Sequence, residues 1–115
     1  MIREGQIVLF RFPYTDQSSG KIRPALVLRR LPGPYEDWLI CMVSSQLAKA
    51  SPGLDERIQP EDPDFGSSGL KTASVIRLTR LAVVEGQILL GAIGRVADDR
   101  LARLKESLAS WLLSG

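Results

Sequence analysis

The sequence predicts a mainly β (α+β) fold, a small, strongly curved sheet or partly open barrel with one helix closing an end. Short runs rich in β-branched and aromatic residues recur along the chain with turn formers between them. Glycines interrupt the last of these runs, as a bend or bulge requires. After Asp98 the apolar spacing changes from strand-like to three- and four-residue steps, which is a helix. The chain of 115 residues, 44% hydrophobic and 24% charged, fits one globular domain spanning 1–115.

Gln6-Ile7-Val8-Leu9-Phe10-Arg11-Phe12 reads as the first strand, stopped by Pro13. A polar loop from Tyr14 to Lys21 follows, and its Thr15-Asp16-Gln17-Ser18-Ser19-Gly20 cluster suits either a mobile hairpin tip or a segment closing over a ligand. The second strand runs from Arg23 to about Arg29. Pro24 cannot donate a ladder hydrogen bond, so it belongs at the start of that strand or on an edge, which holds Arg23 at the strand mouth. Leu31-Pro32-Gly33-Pro34 is a turn, and Asp37 to Ser44 is a third strand, apolar at nearly every position and therefore buried on both faces.

Leu54 to Gln59 reads as a short fourth strand, and Pro60 to Gly69 as a loop without periodicity. In the next strand, Thr72 to Arg80, Val75, Arg77 and Thr79 share one face and Ser74, Ile76, Leu78 and Arg80 the other. Ile88 to Arg95 is the last strand. From Asp98 onward Leu101, Leu104, Leu108, Trp111 and Leu112 form one apolar stripe, with Asp98 and Asp99 in the first turn and Asp99 spaced to pair with Arg103.

The chain contains no histidine, so any catalysis rests on arginine, hydroxyl and carboxylate groups. Its net charge is only +2, but 11 of the 15 basic residues are arginines, the better fork for phosphate oxygens and for stacking on bases. Cys41 is the single cysteine and lies in an apolar run, which excludes an internal disulfide and a cysteine-based metal cluster. The opening residues lack the apolar segment of a signal peptide, and no run reaches the roughly twenty apolar residues needed to cross a bilayer, so the expected location is the cytoplasm.

The order and wording of the elements resemble a known family. Gly5-Gln6-Ile7-Val8, Phe12-Pro13-Tyr14-Thr15-Asp16, Arg23-Pro24-Ala25-Leu26-Val27-Leu28, Val43-Ser44-Ser45, Gly69-Leu70-Lys71, Ser74-Val75-Ile76-Arg77 and Ile93-Gly94 look like the MazF/PemK toxins of bacterial toxin–antitoxin pairs. The likeness covers almost the whole chain. It implies a small SH3-like curved β-barrel with a C-terminal α-helix, and a metal-independent, sequence-selective endoribonuclease acting as a homodimer on single-stranded RNA. No cofactor is implied. It also implies a cognate antitoxin, for which a basic groove suggests an acidic, partly disordered segment that folds on binding.

By that likeness Arg23 matches the catalytic arginine and Ser44 the catalytic threonine or serine. Serine keeps the hydroxyl but loses the β-branching that restricts its rotamer. The RNA-facing set is expected to comprise Tyr14, Thr15, Asp16, Lys21, Pro24, Ser45, Gln46 and Arg77, with Tyr14 and Tyr35 as stacking platforms. Arg77 is preferred to Arg80 because opposite faces of one strand admit only one of them to the groove.

Metal-free RNA cleavage uses the substrate's own 2′-hydroxyl on the adjacent phosphorus, giving a 2′,3′-cyclic phosphate and a free 5′-hydroxyl. A fixed guanidinium then meets the charge growing on the non-bridging oxygens. An arginine is a poor proton acceptor, which leaves Asp16, a water, or an arginine acting on the leaving oxygen to manage the protons. Plainer readings compete: Arg23 as a surface ion-pair partner, Ser44 as a strand-end hydroxyl bonded to its own backbone, and Phe10, Phe12 and Trp111 as core. A non-catalytic binding protein on the same fold, such as a topoisomerase poison, an inactive toxin homologue or an interaction module, is the alternative function.

Overall fold

The computed structural model describes residues 1–11 and 21–115; Tyr14, Thr15 and Asp16, expected to face RNA, and Phe12, expected in the core, lie outside the described residues. The strands are β1 (Gln6–Arg11), β2 (Ile22–Arg30), β3 (Asp37–Ser44), β4 (Glu56–Ile58), β5 (Ser74–Glu85) and β6 (Leu89–Arg95). Two helices, α1 (Phe65–Ser68) and α2 (Asp98–Leu113), complete the architecture. All six strands join one sheet in the order β4-β5-β3-β2-β1-β6, every neighbouring pair antiparallel. The sheet is curled but not a closed barrel, because β4 and β6 remain its two edges.

Alternation along the strands sorts the buried side chains into two groups, one for each face. Ile7, Leu26, Cys41, Val43, Ile76 and Leu78 lie on one face, where Leu104 of α2 inserts and Leu101 and Leu108 pack alongside. Val8, Phe10, Ala25, Val27, Trp38, Ile40 and Met42 occupy the other. With both faces covered, β3 is buried at five of its eight positions and exposed at none, in line with its apolar run.

The curl is built at β6, where two register shifts against β1 leave Ile93 and Leu90 out of the ladder beside Gly94 and Gly91. Bulges of this kind bend a strand and increase its twist. The segment after β4 then folds onto β6: a Cβ on Gly94 would strike the backbone of Ser67 and Ser68, so only glycine permits this approach. Among the described residues no helix is long and apolar enough to cross a membrane.

Four sequence expectations change. The segment 60–69 holds the helical turn α1 rather than only loop, and β5 continues through Glu85 instead of ending at Arg80. Trp111 is not core: α2 projects past the sheet, leaving Trp111 55% and Leu112 65% exposed. Arg103 does not pair with Asp99, because Glu56 on β4 offers a two-pronged contact at 2.8 and 3.0 Å, and bidentate geometry outweighs a single helical pairing.

Candidate functional site

Strand register brings the two residues singled out from sequence together. β2 and β3 pair with Ala25 opposite Met42, and continuing that antiparallel register sets Arg23 beside Ser44. Pro24 falls where the β2–β3 ladder has already ended, so its missing N–H costs no hydrogen bond there. It lies between Arg23 and Ala25 and therefore points to the opposite face. On the other side of β3, Met42 is opposite Arg77 and Ser44 opposite Val75.

The result is a cleft of about 230 Å³ lined by Arg23, Met42, Val43, Ser44, Gln46, Lys49, Arg77 and Arg80. Among the described residues that line it, four side chains are cationic and none is a carboxylate. Arg23 Nε and Arg77 Nε are both buried and make no hydrogen bond with the described residues. Buried donors without acceptors are costly and are normally satisfied; Arg77 Nε lies 3.9 Å from Asp55 Oδ2, and Arg23 Nε is the donor left for an acceptor brought to the cleft.

Ser44 Oγ accepts the Gln46 backbone N–H at 3.1 Å. The backbone-bonding role foreseen for a strand-end hydroxyl is therefore real, but it uses only a lone pair. The O–H proton stays available to donate, because a hydroxyl carries one donor and two acceptor sites. Gln46 begins the 3-10 turn Leu47–Lys49, which carries Lys49 back toward the strand ends.

Arg80 joins the cleft together with Arg77, contrary to the expectation that one strand could present only one of them. The cause is a wide bulge in β5: Met42 is opposite Arg77, but the preceding residue, Cys41, is opposite Leu81. Leu78, Thr79 and Arg80 are extra, and an odd number of extra residues inverts the alternation. Asp55 stabilises the bulge. Its Oδ1 accepts the Thr79 backbone N–H at 3.1 Å, its carboxylate receives the Thr79 hydroxyl, and its Oδ2 accepts Ser51 N–H at 2.9 Å.

Asp55 lies behind the cleft, its side chain wholly inaccessible and its Oδ2 3.9 Å from Arg77 Nε. Burial, together with the negative charge of Asp55, pushes the Cys41 thiol above its ordinary pKa, outweighing the backbone hydrogen bond at Leu26. Cys41 is thus an inert packing residue at the bulge.

Other sequence candidates are not gathered here. Lys21 and Ser45 are exposed and do not line the cleft, and neither does Pro24. Tyr35 is also exposed, but it precedes β3 and so lies at the opposite end of that strand from Ser44, roughly 25 Å away at strand rise. Lys49 and Asp55 were missed by sequence reasoning. Lys49 is a lone charged residue in a turn-rich segment and Asp55 opens the charged triplet Asp55-Glu56-Arg57, and neither pattern has specificity until the fold places it.

The family model described as PemK-like, MazF-like toxin of type II toxin-antitoxin system matches residues 3–112. No curated protein matches the chain significantly. Among solved structures, the Mycobacterium tuberculosis toxin MazF-mt6 superposes with a TM-score of 0.67 at 15% identity, covering 93% of this chain and 95% of its own. An endoribonuclease in complex with its cognate antitoxin from mycobacterial species gives 0.66 at 14% identity, covering 97% and 95%. At such identities the agreement concerns the fold.

Proposed function

The chain belongs to the PemK-like, MazF-like toxin family of type II toxin–antitoxin systems, and from that premise we propose that it is a metal-independent endoribonuclease cleaving single-stranded RNA in the cytoplasm. The observation that carries the reading is the cleft itself, which joins Arg23 and Ser44 to Lys49, Arg77 and Arg80 with no carboxylate among the described lining residues. A phosphodiester backbone is the polyanion such a surface fits.

In this mechanism the substrate's 2′-hydroxyl attacks the adjacent phosphorus, the bond to the 5′-oxygen breaks, and the products carry a 2′,3′-cyclic phosphate and a 5′-hydroxyl. Arg23 donates to the non-bridging oxygens as their charge grows, and its buried Nε–H, which has no hydrogen-bond partner among the described residues, is one such donor. The Ser44 hydroxyl, its lone pair engaged by Gln46 N–H, donates to the same phosphate. Arg77, Arg80 and Lys49 hold the strand by neighbouring phosphates.

The toxin's partner is an antitoxin whose acidic segment occupies the basic cleft, a proposal supported by charge complementarity and by the mycobacterial endoribonuclease solved with its antitoxin. A homodimer covers the apolar end of α2, where Trp111, Leu112 and Leu113 are exposed. Sedimentation of a monomer at micromolar concentration would refute that assembly.

The deciding experiment incubates the purified protein with a long single-stranded RNA in EDTA and maps the ends. Cleavage at a short recurrent sequence, leaving cyclic phosphates and reduced about a hundredfold in Arg23→Ala, is expected. Ser44→Ala should also lose activity. Binding without cutting by folded protein would favour the non-catalytic alternative.

A further inference from the structure

We infer that Asp55 is the positioning residue of this cleft: it orients Arg77 from behind and pins the β5 bulge that turns Arg80 onto the same face. The inference rests on the cleft being the RNA site. Three observations carry it.

The Asp55 side chain is wholly inaccessible, yet among the described residues no arginine or lysine hydrogen-bonds it; its bonds come from Ser51 N–H and Thr79. A buried carboxylate with only neutral donors is costly unless a nearby positive charge compensates it. Arg77 Nε, 3.9 Å away, is the charge that does so. Such a separation attracts the guanidinium without consuming its donors, and Arg77 Nε accordingly has no hydrogen-bond partner among the described residues.

Thr79 occupies the middle of the three-residue excess in β5, where the ladder with β3 is interrupted. Its backbone N–H would be left without a strand partner, and Asp55 Oδ1 supplies the missing acceptor. Without that acceptor the bulge is less favourable, and in a regular β5 Arg80 would point away from Arg77. One carboxylate therefore sets both arginines.

Ser51 N–H closes the turn on Asp55 Oδ2, with Asp55 N–H and Leu54 N–H both donating to the Ser51 carbonyl. The carboxylate is thus held on the segment directly following Lys49 and Ala50, so the turn that delivers Lys49 and the bulge that delivers Arg80 share one anchor. Asp55 acts through these cations and does not touch the substrate.

The test is a double-mutant cycle on Asp55→Asn and Arg77→Ala, read by RNA cleavage kinetics and by the arginine Nε–H signals in NMR. Because Arg77 holds a neighbouring phosphate rather than the developing charge, Asp55→Asn should raise KM about tenfold while kcat stays within about twofold. In the Arg77→Ala background the same change should raise KM by only about threefold, through Arg80 alone. A fall in kcat at constant KM, or fully additive effects, would overturn the inference.

The Arg77 Nε–H signal should shift in Asp55→Asn while that of Arg23 does not, and this readout is independent of RNA. An unchanged Arg77 signal refutes the positioning role even if the protein cleaves RNA. A shifted signal in a protein that neither binds nor cleaves RNA refutes the functional reading instead. Should Asp55→Asn fail to fold, Arg77→Lys substitutes: it keeps the charge but lacks the Nε–H facing Asp55, and is expected to raise KM about fivefold. An unchanged KM would count against the inference.

Discussion

Replacing Arg100 with leucine should cost about 3–5 kcal/mol of stability at neutral pH, the usual penalty for removing one partner of a buried ion pair. The residue is 6% exposed. Its guanidinium donates to Asp64 Oδ2 at 2.8 Å and Oδ1 at 3.1 Å, to Asp62 Oδ2 at 3.1 Å, to Glu56 Oε1 at 3.0 Å and to the Arg57 carbonyl at 3.1 Å. It thereby ties the start of α2 to β4 and to the segment before α1. Leucine preserves apolar volume but cannot serve these acceptors.

The acceptors suffer unequally. Glu56 keeps its paired contact with Arg103, and Asp62 keeps the Gln59 N–H. Asp64 is buried and retains mainly the Ala97 N–H at 3.0 Å, so most of the penalty is its unpaired charge. Urea unfolding followed by the buried Trp38 would read the loss as a midpoint lowered by about 2 M, taking an m-value of roughly 2 kcal/mol/M. Adding Asp64→Asn to the variant should recover about 1–2 kcal/mol by removing that charge.

The pH dependence has a definite sign. In the native protein burial pushes the Asp64 carboxyl up, but the hydrogen bond and charge of Arg100, with the Ala97 N–H, outweigh it and hold the group below its ordinary value. Its stabilising contribution is therefore complete above the ordinary carboxylate range and is lost as pH falls through the lowered folded value. In Arg100→Leu the burial remains while only the backbone hydrogen bonds oppose it, so the group rises from its lowered native value. Acidification then costs the native protein more than the variant, so the stability gap between the two should narrow as pH falls from 7 through the ordinary carboxylate range. A gap under about 1 kcal/mol at pH 7, or one that widens on acidification, would refute the reasoning.

Gly94→Ala should destabilise by about 1–3 kcal/mol, since its Cβ meets the Ser67 and Ser68 backbone rather than a movable side chain; a thermal midpoint equal to wild type would show that the α1–β6 contact can slide. Cys41, buried and with its thiol pushed up, should react with a disulfide reagent only at the rate of opening, so a fast stoichiometric reaction in native buffer contradicts the packing. Arg80→Ala should weaken RNA binding alike across sequences and lower the slope of log affinity against log salt by about 1, and an unchanged slope would remove Arg80 from the phosphate-binding set.

Local chemistry made much of the fold legible. The apolar run of β3 gave its limits, Asp37–Ser44, because burial on both faces imposes composition directly. The change of period at Asp98 gave the start of α2 because one-sided burial of a helix repeats every three or four residues. The glycines of the last strand announced the bulges beside Gly91 and Gly94. That Arg23 and Ser44 could meet was legible because each stands at the end of a recognisable strand, one at its mouth and one at its close, whereas their roles were implied only by the family resemblance.

What the sequence could not supply were facts about register. Whether Arg77 and Arg80 share a face depends on three extra residues in β5, and nothing in Arg77-Leu78-Thr79-Arg80 shows that Asp55, far back in the chain, will satisfy Thr79 and let the strand bulge. Trp111 continues the helical stripe of Leu101, Leu104 and Leu108, yet the sheet ends before it, so it is left in solvent. Arg103 could find a partner one helical turn away, and only the docking of α2 against β4 offered Glu56 instead. The sequence by itself thus determined where the strands and helix run and which polar groups stand at their ends, because periodicity and composition act over neighbouring residues. Tertiary structure alone decided which charges meet across the sheet, because a single shift in register redirects every side chain beyond it.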